Sequence, residues 1–363
     1  MSQKRNMKKI LITGNEAFAE GAIQAGCRFY AGYPITPQNE LIAYMAKYLA
    51  KAGGVFIQAE SELAAINMVF GASAAGIRAM TSSSSPGISL KQEGISYIAG
   101  AELPAVIVNV MRGGPGLGNI APAQSDYFQA TRGGGHGDYH SIVIAPSSVQ
   151  EAYDFMGLAF ELADKYRNPA IVLGDGMLGQ MMEPIVAHGK SHMAYGGHKP
   201  LAISHKPKRW ALTGCKNRKP NIIKSFYIRD GDLEKFNLTL QKKYKTIQAK
   251  EERYEASNLS DARIILVAYG TMGRIAKAAM LKLREKGRKV GLIRPLTLWP
   301  FPKKAFIHNL QANVRYIVIE MSYGQMLEDV KLAVEGRRKV EFLGRSGGGI
   351  PTEEEIVKYA NNI

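Results

Sequence analysis

The chain has 363 residues, of which 46% are hydrophobic and 21% are charged. This composition is typical of a globular protein and excludes a disordered or fibrous one, and the length predicts two domains. The sequence contains no run of about 18 apolar residues, the length that predicts a membrane span, and the apolar stretch near the N-terminus is too short for a signal peptide. We therefore expect a cytoplasmic protein. Its two cysteines, Cys27 and Cys215, are too few for an iron–sulfur cluster, which needs about four ligands.

The formal net charge of +16 is concentrated in one stretch of the chain. No acidic residue stands between Glu183 and Asp230, where the basic residues are Lys190, Lys199, Lys206, Lys208, Arg209, Lys216, Arg218, Lys219, Lys224 and Arg229. Such a stretch fits a solvated linker, or a surface that binds an acidic protein, an anionic substrate or nucleic acid. The sequence lacks a helix-turn-helix signature, a zinc-ligand spacing and an aromatic–basic repeat, so we expect no nucleic acid as a partner.

Strand-like and helix-like segments alternate over residues 8–176. The first strand is predicted at KKILITG (Lys8–Gly14), and Asn15 is predicted to cap the helix that follows it. A second helix is predicted to begin with Thr36 as its N-cap and Pro37 at its first helical position. Later strands are predicted at VFIQAE, RAMTSSS, PAVIVNV, SIVIAPS and PAIVLGD. This alternation predicts an α/β fold in which a parallel sheet is covered by helices on both faces.

The composition changes after this first domain, which we place at residues 1–186. Residues 187–259 are basic, contain scattered Gly, Pro and His, and end in a charged helical pattern near Lys235–Ala256. We predict that they form an inter-domain connection. From residue 260 the alternation resumes with RIILVAYG, a helix at Thr271–Lys286 and KVGLIRPLT, so residues 260–363 are predicted to form a second, smaller α/β domain.

The loops at the carboxyl ends of parallel strands are where such sheets bind ligands. One of them is Tyr33-Pro34-Ile35-Thr36-Pro37, in which the Thr36 hydroxyl and the free amides of the next helix fit an anionic group. The same residues also fit a helix cap without further function. Glu62, at the start of a predicted helix, fits a carboxylate that faces a cofactor nitrogen, or one that only favours the helix N-terminus electrostatically.

Two further loops at this edge carry polar side chains. Arg112 follows the strand PAVIVNV and precedes GGPGLG, where a guanidinium fits a carboxylate and glycines let a substrate approach the backbone. The same loop also reads as an irregular turn. The segment Thr81–Gly87 is rich in hydroxyl groups, which is typical of either a ligand-binding wall or a capped turn between a strand and a helix.

Three partial motifs do not predict sites. Gly174-Asp175-Gly176 begins like a signature that binds magnesium and a pyrophosphate, but the asparagine that the signature needs is missing, so we interpret it as a turn at a strand end. The segment Tyr269–Gly273 is only half of a dinucleotide-binding fingerprint. His136 and His140 lack the ligand spacing of a metal site.

Taken together, the quoted segments closely resemble one protein family. The chain is similar to the pyrimidine-binding-domain (alpha-type) subunit of 2-oxoacid:ferredoxin oxidoreductases, and within that family it looks most like the 3-methyl-2-oxobutanoate (2-ketoisovalerate) type. The resemblance covers nearly the whole chain, and its longest segments are GNEAFAEGAIQAGCRFYAGYPITPQNE, VFIQAESELAAINMVFGASAAG, TSSSSPGISLKQEGISYIAGAELP, VIVNVMRGGPGLG, DYFQATRGGGHGDYH and LAFELADKYRNPAIVLGDGMLGQMMEP.

The resemblance implies a thiamine diphosphate-binding fold followed by a domain like the carboxyl-terminal domain of transketolase. It implies that thiamine diphosphate is shared with a pyrophosphate-binding subunit, which holds the Mg²⁺. It places the [4Fe–4S] clusters on other chains, and it names a gamma-type subunit and a ferredoxin-like subunit as further partners. The complex would decarboxylate a 2-oxoacid oxidatively, transfer the acyl group to coenzyme A and pass electrons to an external ferredoxin.

The resemblance also assigns roles to residues. Glu62 corresponds to the family's catalytic glutamate, which also binds the cofactor. Tyr33 and Pro34 correspond to further cofactor-binding residues. Thr36 and Arg112 correspond to residues that bind the substrate carboxylate. No metal ligand is expected in this chain. Two alternatives stay open: 2-oxoglutarate or pyruvate as the substrate of the same reaction, and a non-catalytic scaffold subunit.

Overall fold

The computed structural model of the chain describes residues 9–187, 208–307 and 314–363. The strands are β1 (Lys9–Thr13), β2 (Phe29–Gly32), β3 (Val55–Gln58), β4 (Ala79–Ser83), β5 (Ala105–Met111), β6 (Ile142–Ile144), β7 (Pro169–Asp175), β8 (Met182–Val186), β9 (Tyr254–Ser257), β10 (Ile264–Val267), β11 (Val290–Pro295), β12 (Thr297–Trp299), β13 (Arg315–Glu320) and β14 (Val340–Gly344). The helices are α1 (Gly14–Gln24), α2 (Asn39–Tyr48), α3 (Glu62–Ala74), α4 (Ser85–Gly100), α5 (Tyr127–Thr131), α6 (Val149–Tyr166), α7 (Gly176–Gln180), α8 (Asp232–Lys250), α9 (Gly270–Glu285), α10 (Lys303–Ile307), α11 (Gln325–Val334) and α12 (Glu353–Asn361).

The larger sheet has seven strands in the order β12-β6-β7-β5-β4-β2-β3. Neighbouring strands run parallel except at the edge, where β12 pairs antiparallel with β6. Every residue of the central strands β5 and β7 is buried, as expected for a parallel sheet with both faces covered. The predicted α/β fold with a parallel sheet is confirmed.

Two predictions at the first strand and helix are wrong. β1 does not belong to the parallel sheet: it pairs antiparallel with β8 in a separate two-stranded sheet, and its Leu11 is 64% exposed. The N-cap of α1 is Thr13, which forms a capping box with Glu16. Asn15 lies inside the helix instead, and its buried side-chain amide donates to the Pro37 carbonyl at 2.7 Å. Asn15, which the local pattern predicts as a helix cap, therefore makes a tertiary contact with the loop after β2.

Thr36 is also not a helix cap. α2 begins at Asn39, after an N-cap residue, Gln38, whose side chain makes no capping bond. Thr36 precedes a proline, which disfavours helical backbone at that position. The side chain of Gln38 is buried and donates to the Tyr33 carbonyl at 3.3 Å, so it holds the loop rather than the helix end.

The smaller sheet has five strands in the order β14-β13-β10-β11-β9, and β9 is its antiparallel edge strand. β9 lies within residues 187–259, and β12, which pairs with the larger sheet, lies within residues 260–363. The strands of the two sheets therefore interleave along the chain. The domain boundaries at 186 and 259 stay a prediction.

Buried polar contacts join the two sheets. Arg294 of β11 donates to both carboxylate oxygens of Glu151 on α6, at 2.9 and 2.7 Å. The side-chain amide of Gln124 donates to the Tyr269 carbonyl at 3.0 Å and accepts from the Met321 amide at 3.1 Å. No helix in the described part of the chain is long and apolar enough to cross a bilayer.

Candidate functional site

The candidate site lies where neighbouring strands of the larger sheet end. β2, β3, β4 and β5 run parallel, so the loops that follow them meet at one edge. These loops carry Thr36 after β2, Glu62 after β3, Ser85 after β4 and Arg112 after β5. The sequence-predicted residues are thus brought to the same edge of the sheet.

Glu62 is the first residue of α3. Ser61 caps this helix, since its hydroxyl accepts a hydrogen bond from the Ala64 amide at 3.2 Å. The side chain of Glu62 is buried, with 6% exposure, and no residue that the structure describes donates a hydrogen bond to its carboxylate, whose oxygens are not fully enclosed. Buried carboxylates are normally hydrogen-bonded or paired, so this one has unused capacity for a partner.

The first turns of α4 border the Glu62 carboxylate. A Cβ atom at Gly87 would lie 2.6 Å from Glu62 Oε1 and 2.1 Å from Ser83 Oγ, so a side chain at this position would collide with both. Lys91, one helical turn further, is completely buried, and its Nζ donates to the Glu62 carbonyl at 3.4 Å. Burial lowers the pKa of Lys91 to about 8, and the negative charge of Glu62 opposes part of this effect.

A buried hydrogen-bond chain fixes the loop after β2. Tyr30 and Ser82 are joined through their hydroxyls at 2.6 Å, and the Ser82 hydroxyl donates to Gln38 Oε1, also at 2.6 Å. Gln38 in turn donates to the Tyr33 carbonyl. Tyr33, Pro34 and Thr36 are themselves exposed, so the chain of buried groups presents these residues at the surface.

Arg112 connects two loops of the site. Its Nη1 donates to the Thr36 carbonyl and its Nη2 to the Leu117 carbonyl, each at 2.9 Å, while its Nε is buried and has no partner among the described residues. A guanidinium has five N–H donors, of which these two bonds use two. The structure therefore brings Thr36 and Arg112 together and leaves donors of Arg112 for a further acceptor.

A second buried cluster supports the backbone of Arg112. The Ser85 hydroxyl accepts from the Arg112 amide at 3.0 Å and donates to Asp126 at 2.6 Å, and Asn109 donates to the same Asp126 oxygen at 2.9 Å. Burial raises the pKa of Asp126, and the two hydrogen bonds oppose this effect. Ser84, the N-cap of α4, makes no side-chain capping bond, and a ligand-binding role of the segment Thr81–Gly87 stays a prediction.

Sequence reasoning missed several of these residues. Asn109 and Asp126 lie in segments that carry the family resemblance, but no local pattern assigned them a role, because their partners are 17 to 41 residues away. Lys91 did leave a signal, since it interrupts an apolar helical face that includes Ile88 and Ile95.

The turn at Gly174-Asp175-Gly176 is confirmed as the end of a strand. Asp175 ends β7 and caps α7 by accepting hydrogen bonds from the Met177 and Leu178 amides, both at 3.0 Å. Within the described ranges, no group of three or more His, Cys, Asp or Glu side chains is placed to hold a metal ion.

The described part of the basic stretch begins at Lys208; Lys190, Lys199 and Lys206 lie outside the described residues. Lys208 pairs with Asp164 at 2.6 Å and lies over the ring of Trp210. Arg218 donates to carbonyls of its own segment. Part of the positive charge is thus used within the chain, and a partner for the stretch stays a prediction.

Comparison with known families now places the chain. Residues 20–256 match the model of the pyruvate flavodoxin/ferredoxin oxidoreductase thiamine diphosphate-binding domain, and residues 262–356 match core domain II of pyruvate:ferredoxin oxidoreductase. The chain belongs to this oxidoreductase family. A ketoisovalerate oxidoreductase subunit VorB from Methanothermobacter marburgensis is 49% identical, over 97% of each of the two chains. The family predicted from the sequence is confirmed for this oxidoreductase subunit.

Solved structures agree with the fold of this oxidoreductase subunit. A 2-oxoglutarate:ferredoxin oxidoreductase from Magnetococcus marinus superposes with a TM-score of 0.84 at 28% identity, covering 100% of this chain and 66% of that one. A split-gene transketolase, 10% identical, superposes with a TM-score of 0.54 over 97% of both chains and shares the fold alone. The predicted thiamine diphosphate-binding fold is confirmed.

Proposed function

We propose that this chain is the pyrimidine-binding subunit of a 2-oxoacid:ferredoxin oxidoreductase that decarboxylates 3-methyl-2-oxobutanoate oxidatively and transfers the acyl group to coenzyme A. The substrate is supported by the ketoisovalerate oxidoreductase subunit that shares 49% identity over almost the full length of both chains. The family description supports thiamine diphosphate as the cofactor. Electrons pass to an external ferredoxin through [4Fe–4S] clusters on other subunits.

The unpartnered carboxylate of Glu62 is the observation that carries this proposal. The group is buried at the sheet edge, and Gly87 lets α4 pack directly against it, because a Cβ there would lie only 2.6 Å from Glu62 Oε1. The buried hydroxyls of Thr81 and Ser83 have no partner among the described residues either. This combination fits a heterocycle that presents a ring nitrogen to the carboxyl group.

In the proposed reaction, thiamine diphosphate supplies the nucleophilic carbon and the electron sink for decarboxylation. Glu62 holds and exchanges one proton at its carboxyl oxygen with the ring nitrogen opposite it. Tyr33 and Pro34, on the loop after β2, would help to hold the same ring.

The substrate carboxylate is proposed to bind at Thr36 and Arg112. Nε of Arg112 and the remaining N–H of Nη2 lie on one edge of the guanidinium, which matches the two oxygens of a carboxylate. The bonds from Arg112 to the Thr36 and Leu117 carbonyls fix the orientation of this edge. Thr36 is exposed, and its hydroxyl, which accepts from the Asn39 side-chain amide at 3.4 Å, still has its own proton to donate in a third hydrogen bond.

The proposal divides the reaction among several chains. Two cysteines cannot ligate a [4Fe–4S] cluster, which supports clusters on a ferredoxin-like subunit. A pyrophosphate-binding subunit would hold the Mg²⁺ and the diphosphate end of the cofactor, and a gamma-type subunit would complete the complex.

Reconstitution of the complex with and without this chain tests the proposal. The complex is assayed for coenzyme A-dependent reduction of a dye with 3-methyl-2-oxobutanoate, pyruvate or 2-oxoglutarate. We expect activity only when this chain is present, and the highest kcat/KM with 3-methyl-2-oxobutanoate. Highest kcat/KM with 2-oxoglutarate would correct the substrate, and equal activity without this chain would show a scaffold subunit.

A further inference from the structure

Lys91 lies on the face of α4 that packs against α3. Gly87, Lys91 and Gly94 are spaced by four and three residues, which places them on one side of a helix. A Cβ at Gly87 would meet Glu62 of α3, and a Cβ at Gly94 would lie 2.5 Å from Ile66 Cγ2, one turn further along α3. The two glycines let the helices approach closely, and Lys91 lies between them, beside Glu62.

The buried ammonium of Lys91 has little compensation within the chain. It carries three N–H donors, and among the described residues it makes one bond, to the Glu62 carbonyl at 3.4 Å. An apolar side chain of the same length would fill this space without the cost of burying a charge. The positive charge therefore has a role that packing alone does not explain.

Glu62 is the carboxylate whose charge acts on the pKa of Lys91. α3 carries no other ionisable side chain, and β4 and β5 carry none. In the elements that pack most extensively against α3 or α4, the remaining ionisable residues are Tyr30 of β2, Glu93 and Tyr97 of α4, and Asp175 of β7. Glu93 and Tyr97 are exposed and bonded to each other, and Asp175 caps α7.

We propose that Lys91 is a positioning residue for Glu62: its ammonium supplies a buried positive charge beside the Glu62 side chain, and its hydrogen bond to the Glu62 carbonyl holds the first turn of α3 against α4. This inference rests on the proposed function, because it gives Glu62 a proton-exchanging role. It adds a residue of the same chain that acts on Glu62 through its charge and through the main-chain carbonyl.

The proposal predicts how pH affects the complex. Removal of a buried positive charge disfavours a negative charge beside it. We therefore expect Lys91→Met to shift the acid limb of the kcat/KM profile upward by about one pH unit. Lys91→Arg keeps a positive charge and should keep the wild-type midpoint.

The experiment compares four reconstituted complexes: wild type, Lys91→Met, Lys91→Arg and a control, Lys243→Met. Lys243 is also a largely buried lysine beside a carboxylate, Glu102, but it lies on α8. Two quantities are measured from pH 5 to 9: kcat/KM for 3-methyl-2-oxobutanoate, and the dissociation constant of thiamine diphosphate by calorimetry. The pH profiles of kcat/KM and of the dissociation constant in Lys243→Met should have the wild-type midpoints, even if this control is less stable.

An unchanged acid midpoint in Lys91→Met would overturn the inference, as would the same shift in Lys243→Met. If Lys91→Met does not fold, Lys91→Arg is the deciding variant. In the wild type, kcat/KM and the dissociation constant of thiamine diphosphate should change near pH 8, where Lys91 loses its proton. An arginine stays charged and should abolish that change. Persistence of the change in Lys91→Arg would overturn the inference. A wild-type complex that binds thiamine diphosphate but uses no 2-oxoacid would refute the proposed function, and the binding profiles would still test Lys91.

Discussion

Glu62 is a buried carboxylate at a helix N-terminus, and its proposed role depends on its ability to exchange a proton. Glu62→Gln keeps the shape of the side chain but removes its ability to exchange a proton. We expect the reconstituted complex to lose about 10²- to 10⁴-fold in turnover, the usual contribution of acid–base assistance. Glu60→Gln is the matched control, because Glu60 is an exposed carboxylate two residues earlier. Turnover of Glu62→Gln equal to that of the control would contradict the proposed role.

Arg112 is expected to act on the substrate rather than on the cofactor. Arg112→Ala removes the donors that fit a carboxylate, each worth about 1.5–3 kcal/mol when the partner is charged. KM for the 2-oxoacid should rise about 10- to 100-fold, while the dissociation constant of thiamine diphosphate stays near its wild-type value. Steady-state kinetics and calorimetry measure the two. Weaker cofactor binding with an unchanged KM would show that Arg112 has been assigned to the wrong ligand.

Lys91 should also make stability depend on pH. Its pKa is about 8 in the folded chain against 10.5 ordinarily, so the unfolded chain binds more protons between these values. The free energy of unfolding should therefore rise with pH in that window. Below pH 8 the buried side chain is charged, and the folded chain is destabilised by the full cost of burying that charge. Between pH 7.5 and 9.5 the wild type should gain about 2 kcal/mol relative to Lys91→Met. Denaturant unfolding of both chains checks this, and parallel curves would contradict it.

At the scale of elements, the glycine-rich loop after β5 positions a carbonyl that binds Arg112. Gly116 and Gly118 both have positive φ, +70° and +65°. A Cβ at Gly118 would lie 1.7 Å from the Gly113 carbonyl oxygen, whereas a Cβ at Gly116 meets nothing within 4 Å. The loop therefore offers two glycines with the same backbone conformation and different surroundings.

Alanine substitutions at these two positions distinguish the cost of a left-handed backbone conformation from the cost of a steric clash of the added Cβ. Gly116→Ala should cost about 1–2 kcal/mol of stability, from the left-handed backbone alone. Gly118→Ala should cost more and also raise KM for the 2-oxoacid, because the loop must move and Leu117 with it. Thermal unfolding and kinetics of both variants measure this, and equal effects of the two would argue against the described loop conformation.

The elements also show how far local patterns reach. The start of α3 at Glu62 follows from Ser61, whose capping bond spans three residues. The start of α2 does not follow from Thr36, because Gln38 is held by Tyr33 and by Ser82, the latter 44 residues away. A cap is predictable when its partners are neighbours in sequence, and it is not when the fold supplies them.

At the scale of the whole molecule, one buried ion pair connects the two sheets. Arg294 and Glu151 are 5% and 7% exposed, and Glu151 also accepts from the Ser147 amide at 2.8 Å. Arg294→Met leaves a buried carboxylate without its main partner, which costs about 3–5 kcal/mol. Arg294→Met/Glu151→Gln should recover most of this loss, because the neutral amide still accepts from Ser147. Denaturant unfolding tests both, and a single variant that loses less than about 1 kcal/mol would contradict the argument.

The sequence by itself determined the α/β alternation, the family and the placement of Glu62 at the start of a helix. These depend on periodicity, caps and motifs, which act over a few residues. Only the tertiary structure decided that β1 leaves the parallel sheet, that β12 joins the larger sheet from the second half of the chain, and that Lys91 is buried beside Glu62. Strand partners and burial depend on contacts between residues far apart in sequence, and local sequence patterns do not predict those contacts.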